Sequence, residues 1–428
     1  MNQITLFLLA AVGIVALIDF LPRLIIKKNR QPKVVTSYSK IPHYLILPTV
    51  YGDISYLKNI QFLKKYSNKV VICTSKFETN EFYTALHTVC KKYGFSYVCA
   101  DLPVIKERPL KNAYTIYRGV LDAGLLKVPG QTPLILMDAD TYATQNVNNL
   151  VRAFIKSKLN VASLRCEASN TSKIIEQLQE FEYRIAMDGR NMDPWLTSGA
   201  CSIAYAEVYN RIFSRHSNFF AGGDIEIGKL GQIMGYNVGH LDFTFYTEVP
   251  DTLKVWFNQR IIWFAGGIRH HVTNIASFGW YHFFMLFYNS LLIYLLFPLR
   301  WIEFVNMPIL LPITILFSWL YVVVLTHGKG WKPVYLLLPL YSFVQTMIII
   351  PLALIKYFKL VQVHRSFGHL QHDLSDYNFM QRFMYRTLNF ASAALIIIAA
   401  YLFTANRVEY WINQNTDSVS TTAVSLNE

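Results

Sequence analysis

The stretch LILMDADTYA, residues 134–143, runs from four apolar residues into Asp138 and Asp140 and then into polar chain. An apolar run of this length that ends in a polar turn is typical of a buried strand. Similar runs occur along the chain, separated by helix-like stretches of roughly 10 to 25 residues: HYLILP (43–48), KVVICTS (69–75), FSYVCAD (95–101) and NVASLRC (160–166). The alternation predicts an α/β domain with a mostly parallel sheet, in which ligands bind at the carboxyl ends of the strands, where both aspartates would lie.

The composition indicates that part of the chain lies in lipid. The 428 residues are 53% hydrophobic and 15% aromatic, which is too apolar for an ordinary soluble protein. The formal net charge is +13, yet there is no run of Lys and Arg with interleaved aromatic residues, so we predict no nucleic-acid partner. Anionic lipid headgroups and an anionic substrate are the partners that the charge favours. The five cysteines show no C-x-x-C pairing, which argues against a disulfide framework or a structural zinc site and predicts a cytosolic location for the part that contains them.

Five apolar segments are long enough to cross a hydrocarbon layer of about 30 Å. The first, residues 4–26, is followed by a basic flank, which predicts a retained anchor with residue 27 onward in the cytoplasm. A signal peptide is the alternative, but neither a charged n-region nor a small-residue cleavage site is visible. The other four segments follow the α/β region, at residues 276–299, 308–326, 334–355 and 388–405.

These features divide the chain into five parts. They are an anchor (1–28), an α/β domain (40–250), an interfacial helix (251–272), membrane helices with an interfacial loop (273–406) and a polar tail (407–428). A simple count of spans puts the basic loop 356–386 outside the cell, contrary to the positive-inside tendency. Either the Pro-containing span 334–355 is re-entrant, or the loop lies along the interface as an amphipathic helix.

The Asp-x-Asp pair at residues 138–140 has a direct chemical use at a strand end. Two carboxylates on alternate residues can both offer oxygen to a hard divalent cation such as Mg²⁺ or Mn²⁺, which in turn neutralises a diphosphate. The pattern alone is weak, because Asp-x-Asp also occurs by chance and often caps a following helix. A metal site at Asp138 and Asp140 is therefore a prediction that depends on the rest of the sequence.

A further carboxylate, Asp224, follows two glycines in FFAGGDIEIG, residues 219–228. The glycines let the backbone bend sharply and bring the carboxylate close to a ligand, which suits a general base within hydrogen-bond reach of a hydroxyl. The alternative is that Asp224 is the N-cap of a helix from Ile225 to Met234. The two roles are compatible.

A third motif, QRIIW at residues 259–263, stands just before the first C-terminal apolar span. The planar guanidinium of Arg260 suits a diphosphate, and the indole of Trp263 suits stacking against a sugar ring. The alternative is an interfacial aromatic belt with a snorkelling arginine, which is common beside membrane spans.

In this order, Asp-x-Asp, Gly-Gly-Asp and Gln-Arg-x-x-Trp beside a membrane segment, the chain resembles the inverting family 2 glycosyltransferases with a GT-A fold. It looks most like their membrane-embedded processive branch, which includes hyaluronan, chitin and cellulose synthases. The resemblance covers roughly residues 40–300. It implies a GT-A α/β domain in the cytosol joined to an α-helical transmembrane region.

The resemblance also implies roles for individual residues. Asp138 and Asp140 would hold the metal and the nucleotide sugar, Lys111 and Arg260 would contact the nucleotide sugar, and Asp224 would be the catalytic base. The remaining residues would bind the acceptor: Ser198, Gly199 and Cys201 of the small-residue loop WLTSGACSIAY (195–205), with Gln259 and Trp263.

The sequence departs from the family pattern in three places. Ile262 stands where the family has a second Arg, so part of the diphosphate clamp is missing or comes from elsewhere, for example from Arg269. Gly223 stands where many members have Glu. The strand ending VVICTSKFET lacks the Asp-Asp-x-Ser that usually recognises uridine, so either Glu78 or Asp101 takes over that role or the base specificity differs.

The resemblance implies an inverting glycosyltransferase that moves a sugar from a nucleotide sugar, with UDP as the expected carrier, to a growing β-linked polysaccharide at the membrane. Two alternatives remain open. One is single transfer to a membrane lipid such as a ceramide, diacylglycerol or polyprenyl phosphate, and the other is a catalytically lapsed module that binds nucleotide or glycan. In each case we expect an integral membrane protein of the cell membrane that has its α/β domain in the cytoplasm and contacts membrane lipids.

Overall fold

The structure is a computed structural model that describes residues 41–105, 107–192, 197–216, 222–278 and 330–365, with the single residues 316, 320, 379 and 383. Nearly all of them belong to one of the chain's two compact units, Asp19–His270 together with Ile315–Tyr377. Several predicted segments lie outside the described residues: the anchor at 4–26, the span at 388–405, the tail at 407–428 and nearly all of the spans at 276–299 and 308–326.

The described residues contain nine strands. In chain order they are β1 (Leu45–Thr49), β2 (Val71–Ser75), β3 (Ser96–Ala100), β4 (Val104–Ile105), β5 (Arg108–Pro109), β6 (Pro133–Asp138), β7 (Val161–Ala168), β8 (Cys201–Tyr205) and β9 (Val238–Thr247). Seven of them form one sheet in the order β3-β2-β1-β6-β8-β7-β9, while β4 and β5 pair with each other. Each of the five apolar runs picked out in the sequence forms a strand of the large sheet.

Six strands of the large sheet run in one direction and β8 runs in the other. The pairs β1–β2, β1–β6, β2–β3 and β7–β9 are parallel, and β8 is antiparallel to both of its neighbours. The predicted mostly parallel sheet is therefore confirmed, with one reversed strand inside it. As a result, the carboxyl ends of β1, β2, β6, β7 and β9 meet at one edge, and the loop before β8 arrives at the same edge.

Ten helices accompany the strands in the described residues. They are α1 (Ile60–Leu63), α2 (Asn80–Tyr93), α3 (Ala113–Asp122), α4 (Val147–Ser157), α5 (Ile174–Met192), α6 (Ala206–Arg215), α7 (Gly223–Ile233), α8 (Leu253–Phe278), α9 (Leu338–Val344) and α10 (Ile350–Arg365). One face of the sheet packs against α2 and α4, and the other packs against α3, α6 and α7.

The central strand β1 shows how the sequence produces this layered core. Ile46 belongs to the cluster on one face of the sheet, while Leu45 and Leu47 belong to the cluster on the other. Because successive side chains of a strand point to opposite faces, a strand covered by helices on both sides must be apolar throughout. The LILP run of β1 meets this requirement.

A third apolar cluster joins α5 and α8 to the segment that begins at residue 333. Its buried members come from these three elements: Ile175, Leu178, Phe181, Trp256, Tyr335, Leu338, Tyr341 and Ile349. On α5, Ile175, Leu178 and Phe181 are buried in this cluster, whereas Ile174 is exposed.

The segment from Pro333 to Arg365 is continuous helix, with a 3-10 turn at Pro333–Leu337 and a π-helical turn at Gln345–Ile349 between α9 and α10. Within the described residues, the stretch Pro333–Leu360 is long and apolar enough to cross a membrane, and it contains the predicted span 334–355. The first part of the predicted loop 356–386 is helical, because the helix continues to Arg365.

Candidate active site

The candidate site lies where the chain reverses its direction of progress through the sheet. From β1 the chain moves outward through β2 and β3, then returns to place β6 on the other side of β1. In open α/β sheets, such a switch point at the carboxyl edge is where ligands bind. Thr49 at the end of β1 is paired with Asp138 at the end of β6, so the Asp-x-Asp pair lies at this switch point.

Buried polar groups fix the backbone that carries the two aspartates. The side-chain amide of Asn59 donates to the carbonyl oxygens of Thr141 at 2.7 Å and of Asp138 at 3.3 Å. The backbone N–H of Asp138 donates to the carbonyl of Ala200 at 3.0 Å, which ties the strand end to the loop before β8. Thr247, at the end of β9, donates its hydroxyl to Oδ1 of Asp140 at 3.2 Å.

Three carboxylates converge at this edge of the sheet. The pKa of Asp138 is raised to about 8 because its carboxyl is buried and because Asp140 and then Asp224 place negative charge beside it. Burial also raises the pKa of Asp140, against the hydrogen bond from Thr247. Asp224 borders Gly199, and the neighbouring Ala200 accepts from the backbone N–H of Asp138, so the Gly-Gly-Asp motif lies next to the Asp-x-Asp pair. The roles assigned to the three carboxylates stay predictions.

The chemistry of this carboxylate set fits a divalent cation. Close carboxylates that raise each other's pKa become favourable as anions when a cation neutralises them. No group of three or more His, Cys, Asp or Glu side chains in the described residues is arranged to hold a metal ion. Mg²⁺ is commonly held by only one or two carboxylates together with substrate phosphates, so the pair Asp138 and Asp140 meets that requirement.

The raised pKa of Asp138 predicts how stability depends on pH. Between the unfolded-state pKa of Asp138 and about pH 8, the folded protein holds one more proton than the unfolded chain. The free energy of unfolding therefore falls as pH rises and levels off above about pH 8.

We expect the unfolding temperature in chelator to fall between about pH 5 and pH 8. Mn²⁺ should raise this temperature more at pH 8 than at pH 5, because a cation binds the deprotonated form. Thermal unfolding of the wild type and of Asp138→Asn checks this, since the variant should lose most of the pH slope. An equal slope in the two proteins would contradict the assignment.

Asp224 lies in the first turn of α7, and its placement depends on both preceding glycines. Gly222 is the N-cap residue, with φ +95°, a left-handed conformation that glycine adopts without steric cost. The alternative that Asp224 is itself the N-cap is therefore wrong, because Asp224 is the second residue of the helix.

The predicted acceptor loop is partly loop and partly strand. A β-carbon added to Gly199 would lie only 3.3 Å from Oδ2 of Asp224, so this exposed residue borders the carboxylate. The backbone N–H of the buried Ser198 donates to the hydroxyl of Ser163 at 2.9 Å. Cys201 begins β8 and is buried in the core, so the small-residue loop ends at Ala200 instead of continuing to Tyr205. The structure thus brings Gly199 to Asp224 but directs Cys201 into the sheet.

Lys111 lies at the carboxyl end of β2, beside Glu78. Its ammonium donates to the carbonyl of Phe77 at 2.6 Å and to Oε2 of Glu78 at 3.0 Å. The Glu78 side chain is only 2% exposed, and it also accepts from the N–H of Gly52 at 2.9 Å and from the Ser75 hydroxyl. The capping box of Asn112 starts α3 directly after Lys111 and fixes the position of that lysine.

The two carboxylates predicted for base recognition, Glu78 and Asp101, have different surroundings. The pKa of Tyr51 is raised by burial, then by the charge of Asp138, then by that of Glu78, so both carboxylates act on this hydroxyl electrostatically. Asp101, the other predicted base-recognition residue, is 76% exposed and pairs with Lys76 at 2.6 Å. Glu78 is therefore the carboxylate that the structure places beside Tyr51 and Lys111.

Arg260 of the QRIIW motif is buried in a polar network between helices. It is 1% exposed, and its guanidinium donates to Glu182 of α5 at 2.8 and 3.2 Å, to Gln259 at 2.6 Å and to Gln179 at 3.4 Å. The hydroxyl of Tyr341 in α9 donates to the same Glu182 oxygen at 2.6 Å. The structure thus shows Arg260 as an ion-pair link among α8, α5 and α9, and its contact with a diphosphate stays a prediction.

The other residues of the motif are arranged around this link. Trp263 is 41% exposed, and the Arg260 guanidinium lies 4.3 Å from its ring centroid, which holds the indole in place by a cation–π contact. Ile262, at the position of the expected second arginine, is exposed as well. The side chain of Arg269, considered as a substitute, lies outside the described residues.

Several residues of the site were not singled out from the sequence. They support the acidic residues from other elements: Asn59, Tyr114, His216 and Thr247. The Asn112 capping box, with Thr115 three residues later, is a sequence signal that could have placed Tyr114 in the first turn of a helix. The clear alternation of Leu241, Phe243 and Phe245 could have revealed β9 and therefore Thr247 at its end.

Comparison with known proteins gives one family match. The sequence profile described as glycosyl transferase family group 2 matches residues 134–358, which is more than half of the 428-residue chain. No curated protein matches the sequence. Among solved structures, a crystal structure described as a glucose-1-phosphate thymidylyltransferase from Bacillus anthracis, in complex with a sucrose, is 11% identical and covers 48% of this chain and 86% of that chain with a TM-score of 0.28. A TM-score of 0.28 supports no inference about this chain.

Proposed function

We propose that this protein is a glycosyltransferase, because the chain belongs to glycosyl transferase family group 2. In this proposal the protein moves a sugar from a nucleotide sugar to an acceptor hydroxyl. The observation that carries the proposal is the convergence of Asp138, Asp140 and Asp224 at the switch point of the sheet. The first two lie at a strand end suited to a diphosphate, and the third lies beside an exposed loop at Gly199.

The mechanism that fits this arrangement is a direct displacement. Asp224 accepts the proton of the acceptor hydroxyl, whose oxygen attacks the anomeric carbon of the sugar while the bond to the diphosphate breaks. Asp138 and Asp140 would hold Mg²⁺ or Mn²⁺, which, when bound, neutralises charge on the departing diphosphate. The exposed edge at Gly199 leaves room for an acceptor next to the base.

Glu78, whose side chain is buried, and the half-buried Lys111 suit the nucleobase end of the donor pocket. Ser75 and Gly52 donate hydrogen bonds to the Glu78 carboxylate, and the charges of Glu78 and Asp138 both raise the pKa of Tyr51. A carboxylate accepts from the N3–H of uracil, whereas cytosine has an acceptor at the same position. The ammonium of Lys111 is a donor for a uracil carbonyl. The pair therefore supports a uridine nucleotide as the carrier of the sugar.

This assignment predicts the effect of a single amide substitution on base selection. Glu78→Gln should reduce the preference for UDP over CDP about tenfold, because an amide can donate to the cytosine acceptor that a carboxylate repels. Competition of UDP and CDP for a labelled UDP-sugar measures the ratio. Asp101→Asn is the matched control and should leave the ratio unchanged. A changed ratio in the control alone would assign base recognition to Asp101.

The acceptor side favours a glycan over a small soluble alcohol. Trp263 offers an exposed indole on a helix that continues toward the C-terminal apolar region, and aromatic rings of this kind stack on sugar rings. Gln259, held by Arg260, and the backbone at Ser198 and Gly199 would complete this side. We therefore place a growing β-linked polysaccharide first, with a membrane lipid as the alternative acceptor.

The membrane location is part of the same proposal. The Pro333–Leu360 helix packs one side on α5 and α8 and leaves a row of large apolar side chains exposed: Leu336, Leu337, Leu340, Ile348, Leu352, Ile355 and Phe358. Such a row is costly in water and favourable in lipid. It supports an integral membrane protein, and the basic residues that follow the apolar segment 4–26 support a cytoplasmic α/β domain.

Product analysis tests the function. The full-length protein is incubated with UDP-Glc, UDP-GlcNAc, UDP-GlcA or GDP-Man in the presence of Mg²⁺ or Mn²⁺, and nucleotide release and product size are measured. A polymer from one UDP-sugar is the expected result. A single-sugar lipid would select the alternative acceptor, and nucleotide binding without release from any donor would indicate a lapsed module.

A further inference from the structure

Two aromatic rings stack beside Gly223, the residue before the one that we propose as the base. Tyr114 in the first turn of α3 and His216 at the end of α6 have ring centroids 5.4 Å apart and planes inclined by 13°. Tyr114 lies three residues after Lys111, and neither ring was assigned a role from the sequence. The pair connects two helices of the same layer at the point where α7 begins.

The stack determines which residue can stand before Asp224. A β-carbon added to Gly223 would lie 2.7 and 2.9 Å from ring carbons of Tyr114 and 3.0 Å from Cε1 of His216. Real β-carbons do not approach ring atoms so closely, so any larger residue at 223 would force the rings apart. The stack thus accounts for glycine at the position where the resemblance led us to expect Glu.

His216 also bonds to the backbone of this glycine. Its Nε2 lies 2.9 Å from the carbonyl oxygen of Gly223. A carbonyl oxygen only accepts, so Nε2 carries the hydrogen and donates it. That carbonyl belongs to the peptide between Gly223 and Asp224. The bond therefore restricts the backbone rotation that sets the direction of the Asp224 side chain.

The Tyr114 hydroxyl reaches the same place from the other side. A β-carbon added to Gly199 would lie 3.5 Å from this hydroxyl and 3.3 Å from Oδ2 of Asp224, so the two groups border the same small space. Burial, and then the charges of Asp224 and Asp138, raise the pKa of Tyr114 well above its usual range, which keeps the hydroxyl protonated. In addition, the Thr197 hydroxyl donates to the backbone carbonyl of Asp224.

We propose that Tyr114 and His216 act as a pair of positioning residues that hold the Asp224 carboxylate toward the space at Gly199. The stack supports the start of α7, the His216 hydrogen bond fixes the Gly223–Asp224 peptide, and the Tyr114 hydroxyl limits where the carboxylate can point. The expected loss of transfer activity rests on the proposed function, whereas the expected effect on the Gly223–Asp224 backbone does not.

Two ring-preserving variants separate these contributions. His216→Phe keeps a ring against Tyr114 and removes the donor to Gly223, so amide hydrogen exchange over residues 223–228 should become about fivefold faster. Tyr114→Phe keeps the stack and removes the hydroxyl, so exchange should stay at the wild-type level while kcat falls about fivefold with unchanged affinity for UDP. Tyr209→Phe, which removes a buried hydroxyl bonded to Ser202, is the matched control for both readouts and should change neither.

The exchange measurement decides the proposal independently of catalysis. Exchange over residues 223–228 in His216→Phe that equals that of the wild type and of Tyr209→Phe would overturn the role of His216. Unchanged kcat in Tyr114→Phe would overturn the role of the hydroxyl. If the wild type transfers no sugar, the proposed function fails, and faster exchange in His216→Phe alone would still support the positioning of the Asp224 backbone.

Discussion

Asp224→Asn is expected to lower the rate of transfer about 100- to 10,000-fold, the usual contribution of a general base, while the affinity for UDP in the presence of Mn²⁺ stays within about twofold. An amide cannot accept the proton of an acceptor hydroxyl, but it preserves the size of the side chain beside Gly199. Initial rates of nucleotide release and calorimetric binding of UDP provide the two measurements.

Asp242→Asn is a suitable control for this experiment. Asp242 is an exposed carboxylate on β9, so Asp242→Asn changes the net charge by the same amount as Asp224→Asn and leaves the candidate site unaltered. Its rate and its affinity should match those of the wild type. A rate for Asp224→Asn close to that of the control would show that another group takes the proton.

Asp138→Asn is expected to act on binding. Loss of one of two carboxylates at the strand end should weaken cation-dependent binding of UDP by more than about 100-fold, since changes at residues that merely support metal ligands already cost about 10- to 100-fold. The measurement is UDP affinity at increasing Mn²⁺ concentration. The variant should show the same weak affinity with and without Mn²⁺, while the wild type gains affinity as the cation is added.

The two variants together test the division of roles among the carboxylates. Asp138, Asp140 and Asp224 are close enough to affect one another's protonation, so a shared role is the natural competing explanation. Our account requires that binding fails in Asp138→Asn and survives in Asp224→Asn. Equal loss of UDP binding in both variants would mean that Asp224 belongs to the binding site and is not a separate base.

Much of the α/β domain could be predicted because its strands are buried on both faces and are therefore short apolar runs. The LILMDAD stretch placed β6 and its terminal carboxylates correctly for this reason. The reversed direction of β8 could not be predicted, because strand direction is set by pairing with β6 and β7 and leaves no mark in the residue pattern. A small-residue run that includes Cys201 was interpreted as a loop, whereas from Cys201 onward it forms a strand.

The candidate site was predictable only as far as local motifs extend. Asp138 and Asp224 stand in recognisable patterns, but the distance between them in space depends on the whole sheet. The ion pair of Arg260 with Glu182 is a contact between residues 78 positions apart, which a motif cannot encode. The QRIIW motif therefore gave no sign of the link between helices that Arg260 forms, while its predicted contact with a diphosphate stays a prediction.

The stereochemistry of the product shows whether transfer is a single displacement, because attack by a hydroxyl deprotonated at Asp224 must invert the anomeric carbon. The measurement is the anomeric configuration of the newly formed linkage, read by proton NMR after transfer from an α-linked nucleotide sugar. The expected result is a β-linkage formed by the wild type and its formation at a rate at least about 100-fold lower by Asp224→Asn. An α-linkage would contradict it, since retention requires either two displacements or attack on the same face of the sugar.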